Sequence, residues 1–468
     1  MNNALLNEII NKLSDCKSTI LEDGKNTISG EDLASYIKAY STYLRKNGVS
    51  QKDSVGVVMH NSIECFISYF GAWRCCDKVV CINPNYSNED VDNVLNDLNA
   101  DFYISKIQRK NTKKHILPFD QAINLENQDS ISLGNGNLFL LTSGTTSVAK
   151  LIPFNNEGFN GFCQLYEEIF NECSISKMLM FCPLYFSLGI ATLLMAMRLG
   201  ISIYIASELQ KRIPTVLFNE IEKRGVDFCV LPTSYMKLID GVEGTINKLP
   251  TAVKIITIVG EQAVLSKRTT DFLLDNKIRL YNQYGATETL CLFSYMLNKN
   301  DCNEEKNILP IGKPLNNVRA KLGEDNQAKG ILYISFSADS PVGKKDSWYC
   351  TDDLCEIRNG NYYIVGRNGN CIKINGNRVE LDFVESTLLK LTEIKDACVI
   401  SCEEDSRTYL VAYIIEKETI DDVQLYTKLT SYLPEYMMPR KFIRETEIIK
   451  NGSGKTDRNK MREKYYAK

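Results

Sequence analysis

Short apolar runs alternate along the chain with longer stretches whose apolar positions recur at helical spacing. Residues 54–59 (SVGVVM) read as a buried strand and lead into a helix over 63–73. The apolar run 79–82 stops at Asn83-Pro84, 91–98 is amphipathic, and 102–105 is strand-like again. Residues 138–141 end at Thr142, and 201–205, 228–231 and 254–259 continue the series. Strands alternating with helices predict parallel-rich sheets flanked by helices, an α/β architecture. No internal repeat or low-complexity tract interrupts it, so a solenoid or propeller is excluded.

Residues 178–197 carry no charge and are long enough to cross a bilayer. Pro183, Ser187 and Gly189 interrupt them, so the pattern predicts a buried strand over 178–182, a loop and a buried helix over 189–197. No membrane span is expected. The character changes near residue 360. A short strand over 362–365 ends at Gly366-Arg367. Then come a strand over 371–374, a turn at Asn375-Gly376-Asn377, a helix over 382–391, strands over 397–401 and 409–415, and a helix over 422–431. That ββαββα unit has the size of an independent domain. The expected division is a large N-terminal domain over 1–366, a hinge over 367–370 and a small α+β domain over 371–468.

Composition narrows the function by exclusion. The chain has 468 residues, enough for large cores, and its net charge is −3. Such a balance does not suit nucleic acid, which demands a cationic surface. Two histidines, His60 and His115, rule out chemistry built on several histidine ligands. The 16 cysteines include no CxxC pair, so neither a zinc knuckle nor a redox dithiol is expected. Most lie in apolar runs, as small hydrophobic residues do. The first twelve residues hold no apolar signal segment. Together these features predict a reducing, cytoplasmic setting.

The densest candidate chemistry is Leu141 to Lys150, LTSGTTSVAK, directly after a strand. Thr142, Ser143, Gly144, Thr145 and Thr146 offer hydroxyls and exposed backbone N–H groups to phosphate oxygens, and Lys150 adds a positive charge. The segment is not the GxxxxGK[ST] loop, and alone it could be an ordinary polar turn. Four more segments follow in order: Asn282-Gln283-Tyr284-Gly285-Ala286-Thr287-Glu288-Thr289, Tyr349-Cys350-Thr351-Asp352-Asp353-Leu354, Gly366-Arg367 with Ile372 to Glu380, and Asn451-Gly452-Ser453-Gly454-Lys455-Thr456-Asp457-Arg458. Leu433-Pro434-Glu435-Tyr436-Met437-Met438-Pro439 precedes the last.

In order and spacing these segments resemble the adenylate-forming superfamily: acyl- and aryl-CoA synthetases, adenylation domains of nonribosomal peptide synthetases, and luciferase. The resemblance runs from about Thr27 to Arg458. Its C-terminal half is most similar to stand-alone adenylation enzymes that charge carrier proteins. It implies ATP-dependent conversion of a carboxylic acid to an acyl-adenylate with release of pyrophosphate, then transfer to a thiol with release of AMP. It also implies roles. The 142–150 loop would hold the β- and γ-phosphates. Thr145 and Glu288 would ligate Mg²⁺, a hard cation that takes oxygen ligands. Thr287 would meet the α-phosphate, Asp353 the ribose hydroxyls, Arg367 the ribose-phosphate side, and Tyr284, next to Gly285, the adenine. Lys455 would stabilise charge gathering on the α-phosphate. The small domain would then rotate about a pivot at Gly369 and present Lys373 for thioester formation.

Some positions depart from the family pattern. The phosphate loop usually reads TSGTTGxPK, whereas Ser147 and Ala149 stand here for glycine and proline. Asp352 replaces the glycine of the usual TGD, so it either points to solvent or adds acid beside Asp353. These departures motivate one rival reading, an ATP-binding scaffold without turnover.

Pro183 to Gly189 aligns with the family's acid-pocket loop. Amino-acid-activating members generally carry Asp at the position of Phe186, and many acyl-CoA synthetases carry His. The remaining wall candidates by alignment are Tyr185, Ser187, Ile190, Thr233, Thr257, Val259, Gln283, Cys291 and Leu292. None is charged, which disfavours burial of an ammonium. The expected substrate is an uncharged alkyl or aryl carboxylic acid, unless Phe186 is simply core; an amino acid is the rival. The acceptor would be coenzyme A or the phosphopantetheine of an acyl or peptidyl carrier protein. Residues 440–468 hold ten Lys or Arg against four Asp or Glu, a local excess that would attract either.

Overall fold

The structure, a computed structural model, describes residues 2–106, 114–119, 133–142, 150–260, 262–299, 306–323, 328–367, 371–404, 407–449 and 457–467. The chain divides into two compact units. One holds Met1–Thr142, Lys150–Thr351 and Cys355–Ile364; the other holds Asp352–Leu354 and Val365–Lys468.

The first unit contains two large sheets. A six-stranded sheet runs His115–Pro118, Phe102–Ser105, Ser54–Val57, Lys78–Cys81, Asn137–Thr142, Lys150–Pro153. Its pairs are parallel except the last, and Ser54–Val57 is buried at every position, as befits a strand covered on both faces. The second sheet has nine strands, in the order Lys313–Pro314, Leu290–Met296, Arg279–Ala286, Ile255–Val259, Phe228–Pro232, Lys177–Met180, Ser202–Ile205, Thr19–Glu22, Thr27–Ser29. From Arg279–Ala286 to Thr19–Glu22 every pair is parallel; antiparallel strands close both edges. Helices Gly30–Lys46 and Ile63–Cys75 begin at Ser29 and Ser62, whose hydroxyls accept the N–H groups of Asp32 and Cys65. With helix Ser187–Leu199 they share the principal apolar core.

The uncharged 178–197 stretch becomes strand Lys177–Met180, a turn and helix Ser187–Leu199, and its aliphatic residues apart from half-buried Leu188 are buried in protein. Among the described residues no helix is long and apolar enough to cross a membrane. Several elements were not expected, among them the following two. Helix Asn2–Ser14 buries Leu6, Ile9, Ile10 and Leu13 on one face. A four-stranded sheet, Val318–Leu322, Lys329–Phe336, Tyr349–Arg358, Asn361–Arg367, includes the expected strand over 362–365 and extends it at both ends.

The second unit goes beyond the expected ββαββα. Hairpin Cys371–Ile374/Asn377–Glu380 turns at Asn375 (φ 50°) and Gly376 (φ 80°), the left-handed pair that a two-residue hairpin turn needs. Helix Leu381–Leu388, strands Ile394–Glu404 and Arg407–Glu416, and helix Asp422–Leu429 follow. Strand Lys441–Arg444 then pairs parallel to Arg407–Glu416, and helix Arg458–Tyr466 closes the chain.

This unit also pairs some of the cations counted in 440–468 with carboxylates. Arg440 pairs with Glu404 at 2.8 Å, Arg444 with Glu416 at 2.9 Å and Asp422 at 2.5 Å, and Lys464 with Glu445 at 2.9 Å. Arg458 pairs with Glu385 where both are largely buried. Glu404, Glu416, Asp422 and Glu385 come from outside the segment, whereas Glu445 was within its count.

Candidate active site

In the nine-stranded sheet the parallel strands end side by side. Pro232 is level with Val259, and Val259 with Gln283. The carboxyl edge of a parallel sheet is where such folds bind ligands, because the connecting loops open a crevice there. The acid-pocket loop leaves the same edge, after Lys177–Met180. It is pinned by Asn61, whose Oδ1 accepts the N–H of Leu184 at 3.0 Å and whose Nδ2 donates to the carbonyl of Cys182 at 3.0 Å. The backbone N–H of Phe186 donates to Pro183 O at 3.1 Å. Gly189 lies so close beneath that a Cβ there would sit 2.0 Å from Pro183 O.

Phe186 precedes helix Ser187–Leu199 and is 41% exposed, so it is not an ordinary core residue. Its ring meets that of Tyr185 at 4.9 Å between centroids. Burial raises the Tyr185 phenol, which stays neutral at physiological pH. Ile190, one turn into the helix, is buried. Ser187 Oγ donates to Thr287 Oγ1 at 3.4 Å, joining the acid loop to the loop that carries the nucleotide candidates.

That second loop lies between strands Arg279–Ala286 and Leu290–Met296. Ala286 N–H donates to Thr289 Oγ1 at 3.1 Å. Asn155 Nδ2 donates to Glu288 O at 3.2 Å, while Asn155 Oδ1 accepts the N–H of Gly158 at the start of helix Asn156–Asn171. Leu290 adopts φ 57°, rare for a side-chain-bearing residue and typical of strained positions beside functional loops. The backbone of Glu288 is thus held while its half-buried carboxylate has no ion pair or side-chain hydrogen bond among the described residues. Tyr284 is buried, edge-on to Phe293 at 5.8 Å. Leu292 packs in that same cluster, whereas Cys291 lies in the principal core with Ile190. Burial pushes the Cys291 thiol up to about 12, leaving it neutral at physiological pH.

Two further wall candidates, Thr257 and Gln283, are joined through Tyr166. Tyr166 Oη lies 3.1 Å from Thr257 Oγ1 and 3.3 Å from Gln283 Oε1. Thr233 is fully buried. Tyr166, Asn61 and Asn155 were not expected as site residues. Tyr166 falls on the apolar stripe of its helix and reads as core, and the two asparagines act through backbone groups that no motif reveals.

The remaining nucleotide candidates are placed in part. Thr142 and Lys150 are register partners, and Lys150 is exposed. Ser143, Gly144, Thr145 and Thr146, with Ser147 and Ala149, lie outside the described residues. Asp353 is buried on the same strand face as Thr351 and Cys355, and Asp352 is exposed, which decides for solvent. Arg367 ends strand Asn361–Arg367, and its side chain lies outside the description. Lys373 is half-buried in the hairpin, opposite Arg378. Gly369 and Lys455 lie outside the described residues.

Asp352 has φ 59°, a left-handed conformation that accounts for glycine in the usual pattern. Asp tolerates it better than most residues. Asp352→Gly is therefore expected to leave the melting temperature unchanged or slightly higher. Asp352→Val should cost about 1–2 kcal/mol, read as a lowered melting temperature. A valine variant as stable as wild type would show that the turn is not needed.

Among the described residues no cluster of three or more His, Cys, Asp or Glu side chains could cage a metal. A single carboxylate with a hydroxyl suits Mg²⁺ shared with substrate phosphates, since that ion keeps few protein ligands.

The fold and the order of the motifs place the chain in the adenylate-forming superfamily. The chain belongs to the AMP-binding enzyme family: that family's model matches residues 13–335, and the model of the AMP-binding enzyme C-terminal domain matches residues 384–455. Family members use ATP. Gramicidin S synthase 2 of Brevibacillus brevis is 26% identical over 98% of this chain, and tyrocidine synthase 2 of Brevibacillus parabrevis is 25% identical over 90%. The chain spans only 11% and 12% of the length of those two relatives. Among solved structures, a double mutant of the o-succinylbenzoate CoA synthetase of Bacillus subtilis matches with a TM-score of 0.82 at 17% identity, covering 98% of both chains. An artificially fused adenylation–PCP di-domain from Klebsiella oxytoca matches with a TM-score of 0.77 at 19% identity, covering 94% of this chain and 93% of that one. These likenesses support the fold: a large N-terminal domain of sheets and helices with a smaller C-terminal domain.

Proposed function

We propose that the enzyme activates an uncharged alkyl or aryl carboxylic acid as its acyl-adenylate and passes the acyl group to a thiol, of coenzyme A or of a carrier protein. The carrying observation is the uncharged acid-pocket set. Phe186 stands where an ammonium's counter-charge would be expected, and none of Tyr185, Ser187, Ile190, Thr233, Thr257, Val259, Gln283, Cys291 or Leu292 supplies another. Burying an unpaired ammonium there would be very costly.

In this reading the acid's carboxylate attacks the α-phosphorus of ATP and pyrophosphate leaves. Thr142 to Thr146 and Lys150 hold the phosphates, Thr287 meets the α-phosphate, and Asp353, Arg367 and Tyr284 hold the nucleoside. Glu288 and Thr145 would hold Mg²⁺, which neutralises phosphate charge when bound. Lys455 serves the adenylation half. The small domain, 371–468, then turns at Gly369, and Lys373 serves the transfer to sulfur.

The amino-acid reading has one observation in its favour, the peptide synthases among the relatives. A pyrophosphate-exchange screen over alkyl, aryl and amino acids separates the two. Exchange with alkyl or aryl acids alone supports the proposal, and exchange with amino acids alone overturns it. ATP binding without exchange on any acid would point instead to a scaffold.

Phe186 supplies a test of pocket shape. Phe186→Ala should shift preference toward bulkier acids, worth about 1–3 kcal/mol per added methylene. The kcat/KM profile over a homologous acid series reads this directly. An unchanged profile removes Phe186 from the wall.

A further inference from the structure

The carboxyl edge that holds the acid-pocket candidates also holds two buried polar groups with no partner. The side-chain nitrogen of Gln283, a residue 3% exposed, has no hydrogen-bond partner among the described residues. Neither has the hydroxyl of Thr233, a residue 0% exposed. Native proteins rarely leave such groups orphaned, because each forfeits its hydration without return. Both flank one gap. Gln283 is the register partner of Val259, and Thr233 follows Pro232, the partner of Val259 on its other side. At about 4.8 Å between strands, the two positions stand about 10 Å apart with Val259 between them. Val259 is only half-buried, whereas Ile255, Ile256, Thr257 and Ile258 before it are buried, so the strand comes to the surface at this level.

The Gln283 amide is held in one orientation. Tyr166 Oη lies against its Oε1 and against Thr257 Oγ1, and burial keeps the phenol protonated. A tyrosine hydroxyl has one proton to give and Thr257 can return one, so the three groups satisfy one another. The amide oxygen is engaged and the amide nitrogen is left as a donor. A neutral donor cannot take an ammonium, which offers only donors of its own. It fits an oxygen with lone pairs.

We propose that the body of the acid carries a neutral oxygen, as a carbonyl, hydroxyl or ether, that accepts a hydrogen bond from the side-chain amide of Gln283, with Tyr166 as the positioning residue. This deepens the acid-activating reading above and rests on it.

The test uses acids matched in shape that differ in one oxygen: 4-hydroxybenzoate against 4-methylbenzoate, and 5-oxohexanoate against 5-methylhexanoate. Exchange kinetics and calorimetric binding of each acid to the full chain are both read. At least one oxygen acid should exceed its isostere by about tenfold or more in kcat/KM and in affinity. Gln283→Leu should abolish or invert that preference. Tyr166→Phe, which only frees the amide to turn, should weaken it several-fold with KM moving more than kcat. Equal use of both members by the wild-type enzyme overturns the inference and leaves acid activation standing; a resident water on the amide would give that result. A preference that survives both substitutions overturns it equally. Failure of every acid to support exchange, with no binding difference, takes down the functional reading and this inference with it.

Discussion

Lys455→Ala is expected to lower pyrophosphate exchange by about 10²–10³-fold, the usual cost of removing one fixed group that stabilises charge in the transition state. Supplied with pre-made acyl-adenylate, the same variant should form thioester at close to the wild-type rate, because the role proposed for Lys455 belongs to the first half-reaction only. Lys373→Ala should show the mirror image, with exchange retained and thiol transfer slowed. The flanks of the Lys455 segment are well anchored: Asp457 N–H donates to Ile449 O at 2.9 Å, and Arg458 Nε donates to Glu385 Oε1 at 3.1 Å and Val399 O at 3.2 Å. Lys373 sits in a regular hairpin whose turn needs no help from the lysine. Neither substitution should therefore disturb folding, and melting temperatures within about a degree of wild type would confirm it. Gly369→Pro should resemble the transfer defect, since proline fixes φ near −65° at the proposed pivot. Equal loss of both half-reactions in both lysine variants, with folding intact, would leave no case for two alternating states.

The sequence disclosed the α/β alternation because buried parallel strands are nearly all apolar, as at 54–57 and 255–259. It hid elements whose stability comes from partners. Among its described side chains helix Arg458–Tyr466 has one fully buried, Met461, so no apolar stripe announces it. Strand Lys441–Arg444 alternates charge with Phe442 and Ile443 and gains its identity only beside Arg407–Glu416. Helix Asn2–Ser14 is different: Leu6, Ile9, Ile10 and Leu13 follow helical spacing, and the period was there to be read.

The site divides in the same way. The candidates for chemistry stood out because their segments, in order and spacing, resemble those of a known family. Residues that hold them did not. Asn61 and Asn155 work through backbone carbonyls and N–H groups far away in sequence, and Tyr166 reaches Gln283 across 117 positions. The consequence of Asp352 became visible only with its backbone angle, which shows why glycine is usual there and where the extra carboxylate goes.

Gly285→Ala should disable the nucleotide loop while leaving both large sheets intact. A Cβ at position 285 would lie 1.7 Å from Leu290 O and 2.6 Å from its carbonyl carbon. Those are backbone atoms, so no side-chain rotation relieves the collision. Gly285 pairs with Cys291 just beyond a register shift, and Leu290 is already at φ 57°, so the strand has little freedom to yield. The remaining route is to displace the 286–289 turn. That breaks the Ala286–Thr289 bond and draws Glu288 O from Asn155, moving Thr287 and Glu288 together. A misplacement of about 1 Å at a reacting centre can cost about 10²-fold, so exchange should fall by at least that much. Overpacking of this kind also costs about 1–3 kcal/mol, so the melting temperature should drop by several degrees. Gly241→Ala is the control: a methyl group added there would meet nothing within 4 Å, and exchange should be unaffected. If Gly285→Ala exchanges pyrophosphate at the wild-type rate, the Thr287–Glu288 loop is not where the α-phosphate is held.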